Sequence, residues 1–320
     1  MNICVKQFYI LGTIIELKVY GGNAEKAIDD AILKLNEIDD KMSVFKNSSE
    51  VSIINSNAGI SHCVVSTDTY FVIKKAVEYS KLSEGAFDAT IRPVVELWGI
   101  NTDHAKIPKT LEIKNDMKLI NYKDIILNDK AKSIKLRNEN QRIDLGAIAK
   151  GFAADEVKNI LIRNDIKHAI IDLGGNIYAL GNKPDGTLWN IGIQDPINKS
   201  GKYVGIVCVQ NKSVVTSGNY ERYFIKEGKR YHHIIDPRTG EPSENGIISA
   251  TVVSEYSIDG DALTTCVYVM GIEKGLKIIQ SIDGAEAILI TRDKKVYVTS
   301  GIRDTFKLTN DEYVYKNLIN

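Results

Sequence analysis

The sequence predicts an α+β fold in which mainly antiparallel sheets pack with helices, and three observations support this class. Short strands with turn residues between them follow one another through the second half of the chain. Single helices separate these clusters of strands, which is typical of α+β proteins. We find no repeat at a solenoid period and no low-complexity linker, so residues 1–320 are expected to form a single domain.

Hydrophobic periodicity predicts the N-terminal elements. Phe8–Tyr20 alternates between apolar and polar residues, as a first strand does. Ala24–Lys41 places its apolar side chains on one helical face. The segment Val65-Ser-Thr-Asp68 offers an N-cap for a second helix that runs to about Ser83. A proline and flanking glycines then divide Gly85–Gly99 into a loop and a short helix.

From Asp124 onward the pattern predicts short strands between a few helices. A hairpin is expected at Ile125-Ile-Leu and Ser133-Ile-Lys-Leu-Arg. Helices are expected at about Ala147–Ile162 and Asp261–Met270, the second continuing through a break at Gly271 to Ser281. The remaining strands are predicted at 168–173, 177–181, 189–193, 204–209, 214–216, 222–225, 231–235, 248–254, 287–291 and 295–298.

Composition and charge exclude several classes of protein. The 320 residues are 43% hydrophobic and 26% charged, as in a globular enzyme. Acidic and basic residues balance at 41 each, so no global charge attracts nucleic acid or an anionic membrane. The sequence contains no stretch of about 18 apolar residues, so no membrane span is expected. The N-terminus lacks the features of a secretory signal, which predicts a cytoplasmic protein, although an exported form that had been trimmed would look the same.

Tyr231-His-His-Ile-Ile-Asp-Pro-Arg-Thr-Gly240 joins a predicted strand to a tight turn. Adjacent residues of a strand face opposite sides, so at least one of the two histidines is expected to face a cleft or the core. An imidazole there could accept a proton. The alternative is an ordinary turn with a structural histidine.

Asp261 and Thr265 lie four residues apart in a predicted helix, so their carboxylate and hydroxyl share one face. Two oxygen ligands from one turn suit Mg²⁺, whose other ligands would be phosphate and water. The alternative is an acidic residue that only complements the helix dipole.

A third segment, Asp144-Leu-Gly-Ala147-Ile-Ala-Lys150-Gly-Phe-Ala-Ala-Asp155, opens a helix with small residues. Free N–H groups at a helix start favour phosphate, and Lys150 adds a positive charge. A close-packed helix entry explains the small residues equally well. The glycines at 174, 175 and 218 do not have Rossmann or P-loop spacing, and hairpin turns account for them.

Taken in order, these segments resemble the ApbE family, the FAD:protein FMN transferases, over nearly the whole chain. The similar segments are Gly12-Thr13, Met42-Ser-Val-Phe45 with Ser49-Glu-Val-Ser52 and Asn55, Gly85-Ala-Phe-Asp88, Pro93 to Leu97-Trp-Gly99, Ile143-Asp-Leu-Gly-Ala-Ile-Ala-Lys-Gly151, Asp172-Leu-Gly-Gly-Asn176, Thr216-Ser-Gly-Asn-Tyr-Glu-Arg222, His233-Ile-Ile-Asp-Pro-Arg-Thr-Gly240 and Asp261-Ala-Leu-Thr-Thr265. The chain departs from the family at Thr264 and Ala89, neither of which is an expected ligand.

The resemblance implies a set of site residues. Mg²⁺ would be bound by the main-chain oxygen of Ala147 and the side chains of Asp261 and Thr265. His233 would handle the proton, whereas His232 would be structural. The residues expected near FAD are Met42, Ala86, Phe87, Asp88, Asp144, Lys150 and Ile235.

The implied reaction is transfer of FMN from FAD to a Thr or Ser hydroxyl of an acceptor protein, with release of AMP. A cytosolic acceptor with an FMN-binding domain is expected. The same metal site would also serve an FAD pyrophosphatase, in which water attacks and FMN and AMP are the products. A non-catalytic flavin-binding protein is the other alternative, and the pairing of Asp261 with Thr265 argues against it.

Overall fold

The computed structural model describes residues 2–198 and 201–316. The α-helices in these ranges are α1 (Ala24–Met42), α2 (Glu50–Ser56), α3 (Thr67–Leu82), α4 (Arg92–Trp98), α5 (Thr110–Asp116), α6 (Ala149–Arg163), α7 (Ser257–Met270) and α8 (Ile272–Gln280). The strands in these ranges are β1 (Ile3–Ile10), β2 (Thr13–Tyr20), β3 (Cys63–Val64), β4 (Ile125–Asn128), β5 (Ser133–Leu136), β6 (His168–Asp172), β7 (Asn176–Leu180), β8 (Trp189–Gln194), β9 (Tyr203–Val209), β10 (Lys212–Gly218), β11 (Tyr223–Lys226), β12 (Lys229–His232), β13 (Ile235–Asp236), β14 (Glu241–Pro242), β15 (Ile247–Ser254), β16 (Glu286–Thr291), β17 (Lys295–Val298), β18 (Phe306–Leu308) and β19 (Val314–Lys316). No helix within these ranges has the length and apolar character needed to cross a membrane.

The α+β class with mainly antiparallel sheet is confirmed. All strand pairs of the largest sheet are antiparallel except β17 with β19. The predicted second helix is α3, and the Ser66 side chain accepts a hydrogen bond from the Thr69 N–H as its N-cap. The predicted break at Gly271 separates α7 from α8. Helix α7, however, begins at Ser257, four residues before the expected start at Asp261.

The prediction of one strand over Phe8–Tyr20 is wrong, because the chain reverses inside it. Strands β1 and β2 form an antiparallel hairpin in which Ile10 pairs with Thr13. Leu11 and Gly12 form its two-residue turn with φ values of 56° and 69°. Two positive φ values define a type I′ turn, and leucine is an uncommon residue for the first of them.

The predicted strand 231–235 is also interrupted. Strand β12 ends at His232, and β13 begins at Ile235. The backbone N–H of His233 instead donates to the Arg222 carbonyl at 3.1 Å. Helices α2 and α5, each only seven residues long, were not predicted.

Contacts between Cα atoms divide the chain into two compact units. Unit 1 contains the described parts of Met1–Asp39, Ile148–Gly218 and Gly246–Asn320, and unit 2 contains Asp40–Ala147 and Asn219–Asn245. Each unit is therefore built from segments that are not continuous in sequence. The assignment of residues 1–320 to one domain stays a prediction.

Unit 1 contains a nine-stranded sheet in the order β1-β2-β6-β7-β10-β15-β16-β17-β19 and a three-stranded sheet in the order β18-β9-β8. Side chains of both sheets meet in one apolar cluster that includes Trp189, Val207 and Ile288. Every residue of β15 is buried, so this strand is covered on both faces. Helices α6 and α7 contact each other and pack against β7.

Unit 2 contains helices α2 to α5, the sheet β3-β5-β4 and two small hairpins, β11-β12 and β13-β14. Its apolar cluster is built from Val94, Trp98, Ile113 and Ile235. The indole N–H of Trp98 donates to the Gly240 carbonyl at 2.8 Å. This bond ties α4 to the turn that follows β13.

Candidate active site

The predicted metal ligands of unit 1 lie on α7, beside the first turn of α6. Asp261 is buried, and its Oδ2 accepts the Gly151 backbone N–H at 2.8 Å. Its Oδ1 lies 3.9 Å from the Lys150 ammonium nitrogen. Thr265 is half-buried, one turn further along α7. The structure therefore brings Lys150, Asp261 and Thr265 together within unit 1.

Gly151 allows α6 to approach α7 this closely. A Cβ atom at this position would lie 2.3 Å from the Ser257 carbonyl oxygen and 2.7 Å from the Asp261 Cβ. Both distances are far below van der Waals contact, so any larger residue would separate the helices. The small residues of this segment thus have a packing role in addition to any role in binding.

The side chains of Asp261 and Thr265 fit a hard divalent cation. Both donate oxygen, which Mg²⁺ prefers, and they are spaced by one helical turn. The described residues contain no group of three His, Cys, Asp or Glu side chains placed to bind a metal. A single carboxylate neutralises only half the charge of Mg²⁺, so the donor set fits a metal whose remaining ligands include anionic phosphate oxygens and water.

In unit 2, the predicted FAD segment Gly85-Ala-Phe-Asp88 directly follows α3. Gly85 N–H bonds the Ser80 carbonyl at 2.8 Å and Glu84 N–H bonds the Lys81 carbonyl at 3.2 Å, which is a Schellman ending. Ala86 and Phe87 are both buried. The loop is therefore held by the backbone of the preceding helix.

Asp88 ties this loop to the segment around Tyr122. Its Oδ1 accepts hydrogen bonds from the N–H and hydroxyl of Thr90 at 2.8 and 2.7 Å, and its Oδ2 accepts the Tyr122 N–H at 2.9 Å. Burial raises the pKa of the Asp88 carboxyl, and these hydrogen bonds oppose the rise. A cleft of about 390 Å³ lies here, lined in part by Gly85, Asp88, Lys123 and Arg238.

Asp144 lies in the same unit, in a cluster that adds two residues to which the sequence assigned no role. The Asp144 N–H donates to the Ala89 carbonyl at 2.8 Å. Its Oδ2 accepts from the Arg92 guanidinium at 3.0 Å. The guanidinium carbon of Arg92 is 5.0 Å from the ring centroid of Phe45. Phe45 is 81% exposed, so its ring is accessible to a planar ligand. The only sequence signal for Phe45 is its place in the segment Met42-Ser-Val-Phe45.

The two histidines of the third predicted segment have different surroundings. The His232 ring is buried, with Nε2 3.0 Å from the Ser243 carbonyl and Nδ1 accepting the Ile234 N–H at 3.3 Å. Its contacts suit a structural role. His233 is half-buried, and its Nδ1 lies 3.2 Å from the Arg222 carbonyl. A carbonyl can only accept, so in the neutral ring Nδ1 carries the proton and Nε2 is the acceptor nitrogen.

The remaining predicted residues have less distinctive positions. Met42 is the buried last residue of α1, and Ile235 lies in the apolar cluster of unit 2. Ala147 is half-exposed and precedes α6 by two residues. Their roles in binding FAD or metal stay predictions.

The chain is similar to known proteins over most of its length. The model of the ApbE family matches residues 11–289. The FAD:protein FMN transferase of Klebsiella pneumoniae is 34% identical over 95% of this chain and 94% of its own length. The crystal structure of the ApbE protein from Thermotoga maritima superimposes with a TM-score of 0.88 at 29% identity, covering 95% of this chain and 99% of that one. The flavin transferase ApbE from Vibrio cholerae gives a TM-score of 0.85 at 27% identity, with coverages of 95% and 99%.

The fold and these similarities define an enzyme of the transferase class. The match extends over both compact units and over nearly the full length of each relative. The chain belongs to the ApbE family.

Proposed function

We propose that this protein transfers FMN from FAD to a Thr or Ser hydroxyl of an acceptor protein that carries an FMN-binding domain, and that AMP is released. One observation carries the proposal: Asp261 and Thr265 share a turn of α7, with Lys150 3.9 Å from the carboxylate. Oxygen ligands beside a positive charge are what a diphosphate with a divalent cation requires.

The diphosphate bridge of FAD is doubly anionic and repels an attacking hydroxyl. Mg²⁺, when bound by Asp261 and Thr265, would supply positive charge next to the phosphates. Lys150 would leave its ion pair with Asp261 and bind a phosphate oxygen, because it lies in the first turn of α6 and its flexible side chain carries a positive charge. The predicted main-chain ligand at Ala147 stays part of the proposal.

His233 is proposed as the general base. The acceptor hydroxyl oxygen attacks the phosphorus on the FMN side, and its proton moves to Nε2 of His233. The bond from that phosphorus to the oxygen of the AMP group breaks, and AMP leaves with the electron pair. The Arg222 carbonyl supports this role because it keeps the Nδ1–H tautomer and orients the ring. The exposed ring of Phe45 on Arg92 is a candidate platform for an aromatic part of FAD.

The same groups could activate water, so hydrolysis of FAD to FMN and AMP is the second candidate. Incubation of the protein with FAD, Mg²⁺ and an acceptor domain separates the two reactions. Transfer predicts flavin fluorescence that stays on the denatured acceptor, with one AMP per flavin. Free FMN and AMP with an unlabelled acceptor would instead show a pyrophosphatase. Intact FAD after addition of Mg²⁺ would show a non-catalytic flavin-binding protein.

The metal pair is tested by Asp261→Ala. We expect the variant to lose metal-dependent transfer and to keep measurable FAD binding, because it removes the proposed carboxylate ligand of the cation and leaves the residues proposed to bind FAD unchanged. Transfer rates and FAD affinity are measured across a Mg²⁺ titration. Full activity in Mg²⁺ would contradict the proposed site.

His233→Ala tests the base. We expect transfer to slow by about 10²–10⁴-fold, the range for a lost general base. His232→Gln is the comparison, since the buried His232 ring bonds the Ser243 carbonyl and the Ile234 N–H, and its loss should lower stability more than the rate. A loss of less than a few-fold for His233→Ala would move the role to another group.

A further inference from the structure

A buried carboxylate in unit 1 lies outside the predicted site and binds the helix that carries the metal pair. Asp155 on α6 is only 7% exposed. Its Oδ1 accepts the Ser257 N–H and its Oδ2 accepts the Ile258 N–H, both at 3.0 Å. These are the first two N–H groups of α7, which have no partner within the helix.

Helix α7 has no N-cap side chain of its own. The N-cap position is held by Tyr256, whose side chain makes no capping hydrogen bond. Asp155 therefore supplies from α6 the cap that a local Ser or Asp usually supplies. The Ser257 hydroxyl adds a second anchor, because it donates to the Asn176 amide oxygen at 2.5 Å.

Lys158 balances the buried charge of Asp155. Its ammonium nitrogen lies 3.0 Å from Asp155 Oδ1. The rings of Tyr178 and Tyr256 enclose it, with centroids at 4.8 and 4.9 Å. Burial raises the pKa of Asp155, and Lys158 and the two α7 N–H groups oppose that rise. A buried pair of this kind is costly unless it is hydrogen-bonded, and here both Asp155 oxygens accept hydrogen bonds.

Asp155 and Gly151 contact α7 from the same face of α6, since they are four residues apart. Gly151 binds the Asp261 carboxylate, and Asp155 binds the start of α7 one turn before Asp261. Helix α7 also packs against β10, β15 and α8, and these two contacts add fixed points one turn apart on the side of α6. They restrict the movement of α7 along its axis and its rotation, and so the direction in which Asp261 and Thr265 present their oxygens.

We propose that Asp155 is a positioning residue of the active site, which holds the first turn of α7 so that Asp261 and Thr265 face the metal in a fixed geometry. The inference rests on the proposed function, because it assumes a cation on that pair. Lys158 supports the role by holding the Asp155 carboxylate in place at 3.0 Å. A purely structural cap would stabilise the fold without affecting metal affinity.

The test measures Mn²⁺ binding to the full chain by electron paramagnetic resonance in the presence of FAD. We expect Asp155→Ala to weaken Mn²⁺ binding by about 10–100-fold, the usual effect of losing a group that orients a metal ligand. Asp155→Asn keeps an acceptor oxygen and should recover part of this loss. FAD affinity without metal, followed by flavin fluorescence, should change by less than about twofold, because Asp155 contacts no predicted FAD residue.

Two further variants keep the result interpretable. Asp155→Ala leaves the Lys158 ammonium buried without its Asp155 partner, and this variant could fail to fold for that reason alone. The double variant Asp155→Asn with Lys158→Met removes the lysine charge and is therefore measured as well. Glu156→Gln is the matched control, since Glu156 is the next residue of α6 and its carboxylate contacts Lys34 at 3.8 Å and Asn159 at 3.4 Å. It should bind Mn²⁺ as the wild type does.

The outcomes separate this inference from the proposed function. If Asp155 variants bind Mn²⁺ within twofold of the wild type while Asp261→Ala does not bind it, Asp155 acts only on stability and the inference is overturned. If Asp261→Ala binds Mn²⁺ normally, the proposed metal site fails and the inference fails with it. Weak Mn²⁺ binding in the Asp155 variants and in Asp261→Ala, with Glu156→Gln unaffected, supports both the proposed metal site and the role of Asp155.

Discussion

The Asp261 carboxylate is shared between a backbone N–H and an ammonium group. One oxygen accepts the Gly151 N–H, and the other faces Lys150 at 3.9 Å. A cation that binds Asp261 therefore competes with Lys150 for the same oxygen. Since Lys150 is also the expected phosphate ligand, metal and diphosphate binding are coupled through this one side chain.

Replacing Lys150 with methionine keeps an unbranched side chain one atom shorter and removes the charge that competes with the cation. We expect Lys150→Met to bind Mn²⁺ more tightly than the wild type in the absence of FAD, and to bind FAD more weakly. A charge at this distance and depth contributes on the order of 1–3 kcal/mol, so changes of about tenfold are expected. Calorimetric titration with Mn²⁺ and with FAD measures both. Lys34→Met, which removes a lysine elsewhere in unit 1, should change neither affinity; unaltered Mn²⁺ binding in Lys150→Met would show that Lys150 does not occupy the cation position.

Asp88 gives stability a dependence on pH with a defined sign. Burial raises its pKa, so the folded protein binds the proton more readily than the unfolded chain does. The stabilisation of the folded protein that follows from this difference in proton binding is fully present below pH about 3.9, the usual aspartate pKa. It is lost as the pH rises through the raised pKa of Asp88. Asp88→Asn removes this loss. The difference in free energy of unfolding, variant minus wild type, should therefore increase from about pH 4 towards neutrality in urea titrations.

Asp129 is the comparison of opposite sign. It is exposed, and hydrogen bonds from Lys74 and Tyr70 lower its pKa. Its small contribution is present above the usual aspartate value and is lost as pH falls. For Asp129→Asn, the difference in free energy of unfolding, variant minus wild type, should consequently fall slightly as pH rises. Equal slopes of this difference against pH for the two variants would contradict the assignment for Asp88.

At the scale of elements, the packing of α6 on α7 depends on one glycine. We expect Gly151→Ala to destabilise the protein by about 1–3 kcal/mol, because its Cβ would overlap the Ser257 carbonyl. The separation of the helices should also weaken Mn²⁺ binding by displacing Asp261. Gly22→Ala is the matched control, since no heavy atom lies within 4 Å of a Cβ there. Urea unfolding and Mn²⁺ titration of both variants check this, and equal stability for the two would show that the helices have room to move.

The elements that sequence predicted well are those whose signals are local. Helix α1 has a continuous apolar stripe, and α3 has a serine cap, so their bounds agree within a residue. The start of α7 could not be predicted because its cap is Asp155, which is 102 residues away in sequence. The β1–β2 turn was missed because Leu11 adopts a conformation that favours glycine or asparagine.

In the candidate site, too, the sequence predicts the residues that share a local pattern and misses those that only the tertiary structure brings together. The spacing of Asp261 and Thr265 alone places them on one helical face, and the structure agrees. Nothing in the sequence shows that Arg92 bridges Asp144 and the Phe45 ring, because Asp144 lies 52 positions and Phe45 lies 47 positions from Arg92 in the chain. Such a cluster depends on tertiary structure, which no local pattern encodes.

For the whole molecule, the order of the segments limits which experiments are useful. Unit 1 consists of three separate segments and unit 2 of two, so neither can be produced as one continuous fragment. The predicted FAD residues are distributed over both, with Lys150 in unit 1 and Asp88 and Asp144 in unit 2. Binding must accordingly be measured on the full chain.

The stability of the full chain should depend on its two ligands together. Mg²⁺ alone meets a single carboxylate that is already paired with Lys150, so it should bind weakly and raise the melting temperature little. FAD adds anionic oxygens and gives Lys150 an alternative partner, so both ligands together should raise the melting temperature by more than the sum of their separate effects. A ligand at about 100 times its dissociation constant contributes about 2.7 kcal/mol, which a thermal melt resolves. Asp261→Ala should lose this excess and keep the shift with FAD alone. Strictly additive shifts in the wild type would mean that the cation and the diphosphate bind at independent places.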